Sequence, residues 1–384
     1  MLGHLCVHSI LLVLSLLVYT TACYPQEIIQ KQGLANSAIN LQSLIVGRYS
    51  VSLTENLDYT GLHHIANDDE NQKIVRRSFE MQYVRLSTSF KINNRFSGAI
   101  LVNLADFKYE NLTNRILENA FINYAGNDFF NLRLGQFRPY FGLEDSYPFQ
   151  LNNSYKWSNQ YSLFGKNTWQ SFQIGAAVYG NLLPQKIPVY YYFTAYNGRI
   201  KNNFHNKPNT ENYALRLEYF PLSYLQLGIN GAVANYENRH ANAYGIDAKL
   251  SYFFNKNWKL DMHTEYKNGT NFLEFEKANQ EVNEPLKNYR SQGMYVLFHL
   301  KYAVNNSWLQ ALEFSFREEY LDENIQKSGR ILREHIPMLS LVYVGDYSSK
   351  LSLVGVISDY QTNIPGSRQY DGSKILIQYQ IAYK

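Results

Sequence analysis

Polar and apolar residues alternate one by one along most of this chain. In the closing segment Ile375, Ile377, Tyr379, Ile381 and Tyr383 fall on one side, with Leu376, Gln378, Gln380, Ala382 and Lys384 on the other. Successive side chains of a β-strand point to opposite faces, so this period predicts a strand with one apolar and one wet face. The pattern recurs at 244–254, 258–267, 294–302 and 308–318, each time setting aromatic and aliphatic residues against a polar row. Read from residue 45, about sixteen such segments follow: 45–57, 77–91, 95–107, 115–125, 128–138, 167–180, 187–197, 211–220, 224–236, 241–254, 257–267, 291–303, 307–319, 334–344, 347–359 and 373–384. Segments of this length divided by turn residues are the signature of a transmembrane β-barrel. A Lys or Arg facing lipid at mid-bilayer costs roughly 2–4 kcal/mol, so the apolar rows must face outward and the charged rows inward. The predicted fold class is therefore all-β: a transmembrane antiparallel barrel of about sixteen strands, wide enough for an aqueous channel.

The connections point the same way. After even-numbered segments they are tight, at 93–94, 126–127, 221–222, 255–256, 305–306 and 345–346. After odd-numbered ones they are mostly long, at 58–76, 139–166, 198–210, 268–289, 320–333 and 361–372. Short turns at one rim and long loops at the other are what a barrel with both termini in the periplasm requires. Tyr252 and Trp258 bracket one short turn, Tyr302 and Trp308 another, as an aromatic girdle demands.

Composition narrows the field. Charged residues are 18% of the 384, below the roughly 25% of soluble proteins, and 33 tyrosines dominate the aromatics. Tyrosine favours the membrane–water boundary, where its ring is buried and its hydroxyl stays wet. No linker divides the chain, and after the amino terminus no run approaches about 18 apolar residues, which excludes helical spans. At the amino terminus Ile10–Val18 followed by Thr20, Thr21 and Ala22 reads as an export signal over residues 1–22, although its first part carries His4 and His8 in place of Lys or Arg. A short periplasmic segment, 23–44, and the barrel, 45–384, would follow, with lipid modification of Cys23 left open. No Cys occurs after Cys23, so disulfides do not hold the fold.

Around the fifth segment stands Leu134-Gly-Gln-Phe-Arg-Pro-Tyr-Phe-Gly-Leu-Glu144. The stretch resembles a motif of the phosphate-selective porin O and P family, with Pro139 one place early. The resemblance implies a homotrimeric outer-membrane porin of sixteen strands whose third outer loop folds into the lumen and narrows it. It also implies a passive path for small hydrophilic or anionic solutes, with anion preference set by lumenal Arg and Lys. The longest early insertion, 139–166, occupies that third-loop position, and Pro139, Gly142 and Pro148 suit a chain that leaves a strand sharply.

Pore-lining and constriction candidates are Arg133, Arg138, Glu144, Asp145, Lys156 and Lys166, then Arg216, Lys249, Lys259, His263 and Arg317 around the wall. Acids share these faces, and a net charge of +4 does not by itself set a selectivity. His63 and His64 near Asp68, Asp69 and Glu70 match no standard metal-ligand spacing. His263 with Asp261 and Glu265 lacks an evident nucleophile, so no enzyme, cofactor or metal is expected. Basic residues are scattered, which gives nucleic-acid binding no support. Outer-membrane lipids are the expected surroundings. The rival function is an adhesin or receptor acting through the long outer loops.

Overall fold

The computed structural model describes residues 39–52, 77–105, 116–183, 188–198, 211–236, 239–278, 285–304, 306–344, 349–361 and 372–383. Sixteen strands are present: β1 Ile39–Ser52, β2 Arg77–Lys91, β3 Phe96–Asn103, β4 Leu117–Ala125, β5 Asn131–Phe137, β6 Gln173–Asn181, β7 Val189–Tyr196 and β8 Asn212–Leu222, then β9 Leu225–Tyr236, β10 Arg239–Phe253, β11 Trp258–Thr270, β12 Arg290–Ala303, β13 Ala311–Asp322, β14 Ile331–Val344, β15 Ser349–Tyr360 and β16 Lys374–Tyr383. Each pairs with its sequence neighbours, and β1 pairs antiparallel with β16 to close the barrel. Two short helices lie in long connections: α1 Asn159–Lys166 and α2 Phe272–Ala278.

Alternation sorts the side chains as the lipid constraint demands. Ile246, Leu353 and Ile377 are 58%, 53% and 48% exposed on the outer surface, whereas Asp247, Ser352 and Gln378 beside them are 6%, 2% and 3%. The inner face is not wholly polar. Ile336, Met338, Val354, Val356 and Leu376 form an apolar patch inside β14–β16, under Tyr155.

Three of the short turns share a local device. Asn93, Asn127 and Asn255 each accept backbone N–H bonds from the residues two and three places on, at 2.7–3.0 Å. The third residue on is an aromatic in each, Phe96, Phe130 or Trp258. One side chain thus satisfies two turn donors and aims a ring at the membrane boundary. Two of these rings pair across adjacent strands, Trp258 with Tyr302 at 4.6 Å and Phe96 with Tyr124 at 5.2 Å, and Phe129, next to Phe130, meets Tyr191 of β7 at 5.5 Å. This is the girdle expected at that rim.

The largest departures from the expected strand starts are at β1 and β6. β1 begins at Ile39, not 45, because pairing with β16 and β2 recruits Asn40 to Leu44, whose outward Ser43 blurs the period. β6 begins at Gln173, not 167. Residues 167–172 alternate like a strand, but Thr168 and Ser171 take φ of 67° and 73°, which no strand accommodates. Between β9 and β10 only residues 237–238 intervene, so that connection is short where its neighbours at the same rim are long. The export signal and the whole of 58–76, His63 and His64 included, lie outside the described residues.

Replacing Asn255 with Ala is expected to lower stability by about 1 kcal/mol, since it orphans two turn donors. Ile377→Arg is expected to cost roughly 2–4 kcal/mol and Gln378→Arg much less, because only the first faces hydrocarbon. Urea unfolding of the barrel refolded into lipid vesicles measures both, and equal losses at 377 and 378 would contradict the assigned faces.

Candidate functional site

Most charged residues on the inner wall are bound to opposite charges. The Arg216 guanidinium on β8 makes two bonds to the Asp247 carboxylate, at 2.6 and 2.9 Å, with Glu218 and Asn230 each at 2.7 Å. Arg85 meets Glu118 at 2.7 Å, Lys267 meets Glu265 at 2.9 Å, and Arg317 meets Glu319 at 2.6 Å. Buried charges of this kind persist only with such partners, and each pair fixes the geometry of its neighbours.

The segment 138–172, between β5 and β6, packs against this wall on several sides. Its motif explains the contacts residue by residue. Arg138 donates to the carbonyls of Glu144 and Tyr147 at 3.1 and 2.9 Å, and its guanidinium lies over the rings of Trp157 and Phe172. The Pro139 carbonyl accepts from Thr194 of β7 at 3.0 Å. Tyr140, at φ 61°, stacks on Tyr192 at 4.5 Å and accepts a hydrogen bond from Arg133. Gly142 N–H donates to Asn230 of β9 at 3.1 Å, and Leu143 N–H to Glu265 of β11 at 2.8 Å. A glycine is required at 142. Its φ is 112°, and a Cβ there would collide with the Glu265 carboxylate and approach Lys267 Cε to 2.6 Å.

Glu144 and Asp145 are used inside the segment. Glu144 accepts from the backbone N–H of Ser158 at 2.9 Å and from its hydroxyl, while Ser158 caps α1 by accepting from Tyr161 N–H at 3.1 Å. Asp145 accepts from Phe141 N–H at 3.1 Å and Ser171 N–H at 3.4 Å, clasping the two ends of the segment together. Burial pushes the Asp145 carboxyl up to about 6, against the opposing pull of Arg138 and Lys267. Farther along, Asn159 N–H donates to Glu319 at 2.6 Å, its side chain donates to Glu334 at 2.8 Å, and Lys156 meets Glu334 at 3.0 Å. Leu143, Tyr147, Phe149, Trp157 and Tyr161 pack on Leu44 and Val46 of β1. The segment therefore touches β1, β7, β9, β11, β13 and β14.

The expected pore residues separate into four groups. Arg138, Glu144 and Asp145 tie the segment together. Arg216 and Arg317 are ion-paired in the wall, and Arg133 is held by Asn123 at 2.7 Å with its guanidinium 4.2 Å from the Phe121 ring. Lys156 keeps 23% side-chain exposure beside Glu334, and Lys166 lies exposed in the last turn of α1. Lys249, Lys259 and His263 lie together nearer the short turns. There Lys249 stands across from His263, and Lys259 across from Lys301. His263 is buried, 5.7 Å from the Tyr147 ring, with neither ring nitrogen hydrogen bonded. Sequence reasoning missed Asn230, Thr194 and Tyr140 as docking residues, and it missed α1 and α2. The helices did carry a signal: Ser158 and Asn271 are N-caps, and Glu274, three places after Asn271, fits a capping box.

A family model described as phosphate-selective porin O and P matches residues 56–296. Among solved structures the fold is similar to the outer membrane channel DcaP of Acinetobacter baumannii, with TM-score 0.56 and 11% identity over 93% of this chain and 100% of that one. It is similar also to an anion-selective porin from Comamonas acidovorans, with TM-score 0.53 and 10% identity over 91% and 99%. OmpT of Vibrio cholerae, in its trimer form, gives TM-score 0.52 and 9% identity over 91% and 100%. No curated protein matches the chain. At such identities these likenesses speak for the fold.

Gly142→Ala is expected to unseat the segment while the barrel survives. Trypsin should then cleave after Lys156 or Lys166 at least about tenfold faster, a change that corresponds to roughly 1.4 kcal/mol of lost docking. Unchanged cleavage would refute the collision argument. Asp145 supplies a pH test. Its folded value of about 6 lies above its ordinary 3.8, so its contribution to docking is full below 3.8 and is lost as pH rises through 6. Protease resistance of the segment should fall across that window in the wild type, and Asp145→Asn should flatten the profile.

Proposed function

Because the chain belongs to the phosphate-selective porin O and P family, we propose that this outer-membrane porin passes small hydrophilic solutes along a lumen narrowed by the infolded segment 138–172, with a bias toward anions. The contacts of that segment with inward residues of at least six strands support the narrowing. The bias rests on one observation. Among the described residues on the inner face of β10 to β15, toward the short turns, four lysines (Lys249, Lys259, Lys301 and Lys350) share the wall with two carboxylates, Asp261 and Glu313. Lys259 meets Asp261 at 3.0 Å while its side chain stays 23% exposed, and Lys350 meets Glu313 at 3.2 Å. Nearer the segment the cations of β8, β11 and β13 are matched by acids, so the lysine-rich band carries the local excess of positive charge. Such an excess in a low-dielectric tube raises the concentration of anions, phosphate among them.

The mechanism is diffusion, with aperture and charge as the two filters. The export signal over residues 1–22 delivers the chain to the outer membrane in this reading, and assembly is as a trimer, the form recorded for OmpT of Vibrio cholerae. A receptor acting through its long loops would be a plugged barrel without steady current, so single-channel recording separates the two readings.

The decisive measurement is reversal potential across a potassium chloride gradient. Replacing Lys249, Lys259 and Lys301 together with Gln is expected to lower the anion-to-cation permeability ratio roughly threefold or more, with conductance retained. A ratio equal to that of the wild type would remove the lysine band from the selectivity argument.

A further inference from the structure

The outer wall carries a charge that lipid contact alone does not explain. Along β12 the outward row runs Phe298, Val296 and Met294, then turns polar at Gln292 and Arg290 toward the long-loop rim. Arg290 does not simply reach for water. Its Nε donates to Asn268 Oδ1 on β11 at 2.9 Å, its Nη1 to Asn242 Oδ1 on β10 at 2.9 Å, and its Nη2 also to Asn268. Both acceptors are neutral amides. Elsewhere on this face basic side chains have carboxylates for neighbours: His335 bonds Glu318, and Arg333 takes the register position across from Asp359. Arg290 forms no ion pair with a carboxylate among the described residues.

Three strands thus fix a guanidinium in orientation and leave its charge uncompensated. Of the five N–H groups on an arginine, three are engaged, which leaves one on each terminal nitrogen. Two parallel donors on one planar cation fit a tetrahedral oxyanion. The surroundings fix the source of that anion. Tyr244, half exposed, lies beside the guanidinium at 5.9 Å, and the Tyr266 hydroxyl donates to Gln292 at 3.3 Å, so amphipathic rings mark this height as the membrane boundary. The long-loop rim of an outer-membrane barrel faces the cell exterior. Below lies apolar wall to receive acyl chains.

We propose that Arg290, set by Asn242 and Asn268, binds the phosphate of a glycolipid headgroup in the outer leaflet. The site lies outside the lumen and is independent of what the channel passes.

Native mass spectrometry of the intact barrel in detergent tests this, with a diphosphorylated lipid A and the same lipid dephosphorylated as probes. The wild type should retain the phosphorylated lipid about tenfold better, as one charged hydrogen-bonded contact implies. Arg290→Gln should bring retention down to that of the dephosphorylated lipid. Arg290→Lys should recover only part of it, and Arg333→Gln should match the wild type. Heat-modifiable migration on gels shows that each variant is folded. Equal retention of both lipids, or Arg290→Gln binding as the wild type does, would overturn the proposal. So would displacement of the lipid by millimolar inorganic phosphate, which would make this a free-phosphate site.

Discussion

In hydrocarbon there is no water to receive a backbone N–H or C=O, and every one left unpaired costs several kcal/mol. The rest of this structure depends on how that demand is met: β1 pairs with β16 through ten consecutive residue partners, Ser43–Ser52 against Lys374–Tyr383, and no strand edge remains open. Closure also converts the two-residue period into an inside and an outside. An outward Leu353 beside an inward Ser352 is a consequence of sheet geometry, not of local preference. The one-residue slip that would exchange them would put Lys350 and Gln378 into lipid.

A second dependence runs through the interior. Glu265, Glu319 and Glu334 are buried carboxylates, and each is completed by donors from the segment between β5 and β6: Leu143 N–H, Asn159 N–H and the Asn159 amide. That segment has the opposite problem, since a loop taken out of bulk water carries donors with no ladder to join. Wall and loop therefore satisfy one another. Among the described residues the three non-glycine residues with positive φ, Tyr140, Thr168 and Ser171, stand at the two ends of the segment, where the chain must turn off a strand and back onto one. Strain at those points persists because the Asp145 clasp and the Arg138 bonds over-determine the geometry.

How far the sequence could be read follows from these two dependences. Strand number, faces and the alternation of short and long connections were legible because each repeats an elementary rule, pleat or turn chemistry, sixteen times over. Residues 167–172 misled because alternation is necessary for a strand but not sufficient, and Thr168 and Ser171 give no sign of a left-handed backbone. β1 was displaced because residues 39–42, which carry little period of their own, are held in the sheet by pairing with β2. The site was less legible. Arg133, Arg138 and Arg216 announce themselves as inward cations, but whether each faces solute or a carboxylate depends on partners such as Asn123 and Asp247 that no local pattern connects. The motif around Gly142 was visible as a resemblance, and only its contacts show why a glycine must stand against Glu265.

The charge that a permeating ion meets is consequently not the sum of inward residues. An arginine whose fork is filled by a carboxylate, as Arg216 is by Asp247, presents a dipole, and its field falls off quickly in the lumen. A lysine that keeps part of its surface in water, as Lys259 does at 3.0 Å from Asp261, still acts at range, screened over about 8 Å at physiological salt. The same distinction explains the outer wall, where Arg290 is held by amides while Arg333 faces Asp359. In both places the amino acid type matters less than the charge of the group that holds it. Position on a closed sheet decides that neighbour, so selectivity in this barrel is a property of register before it is a property of composition.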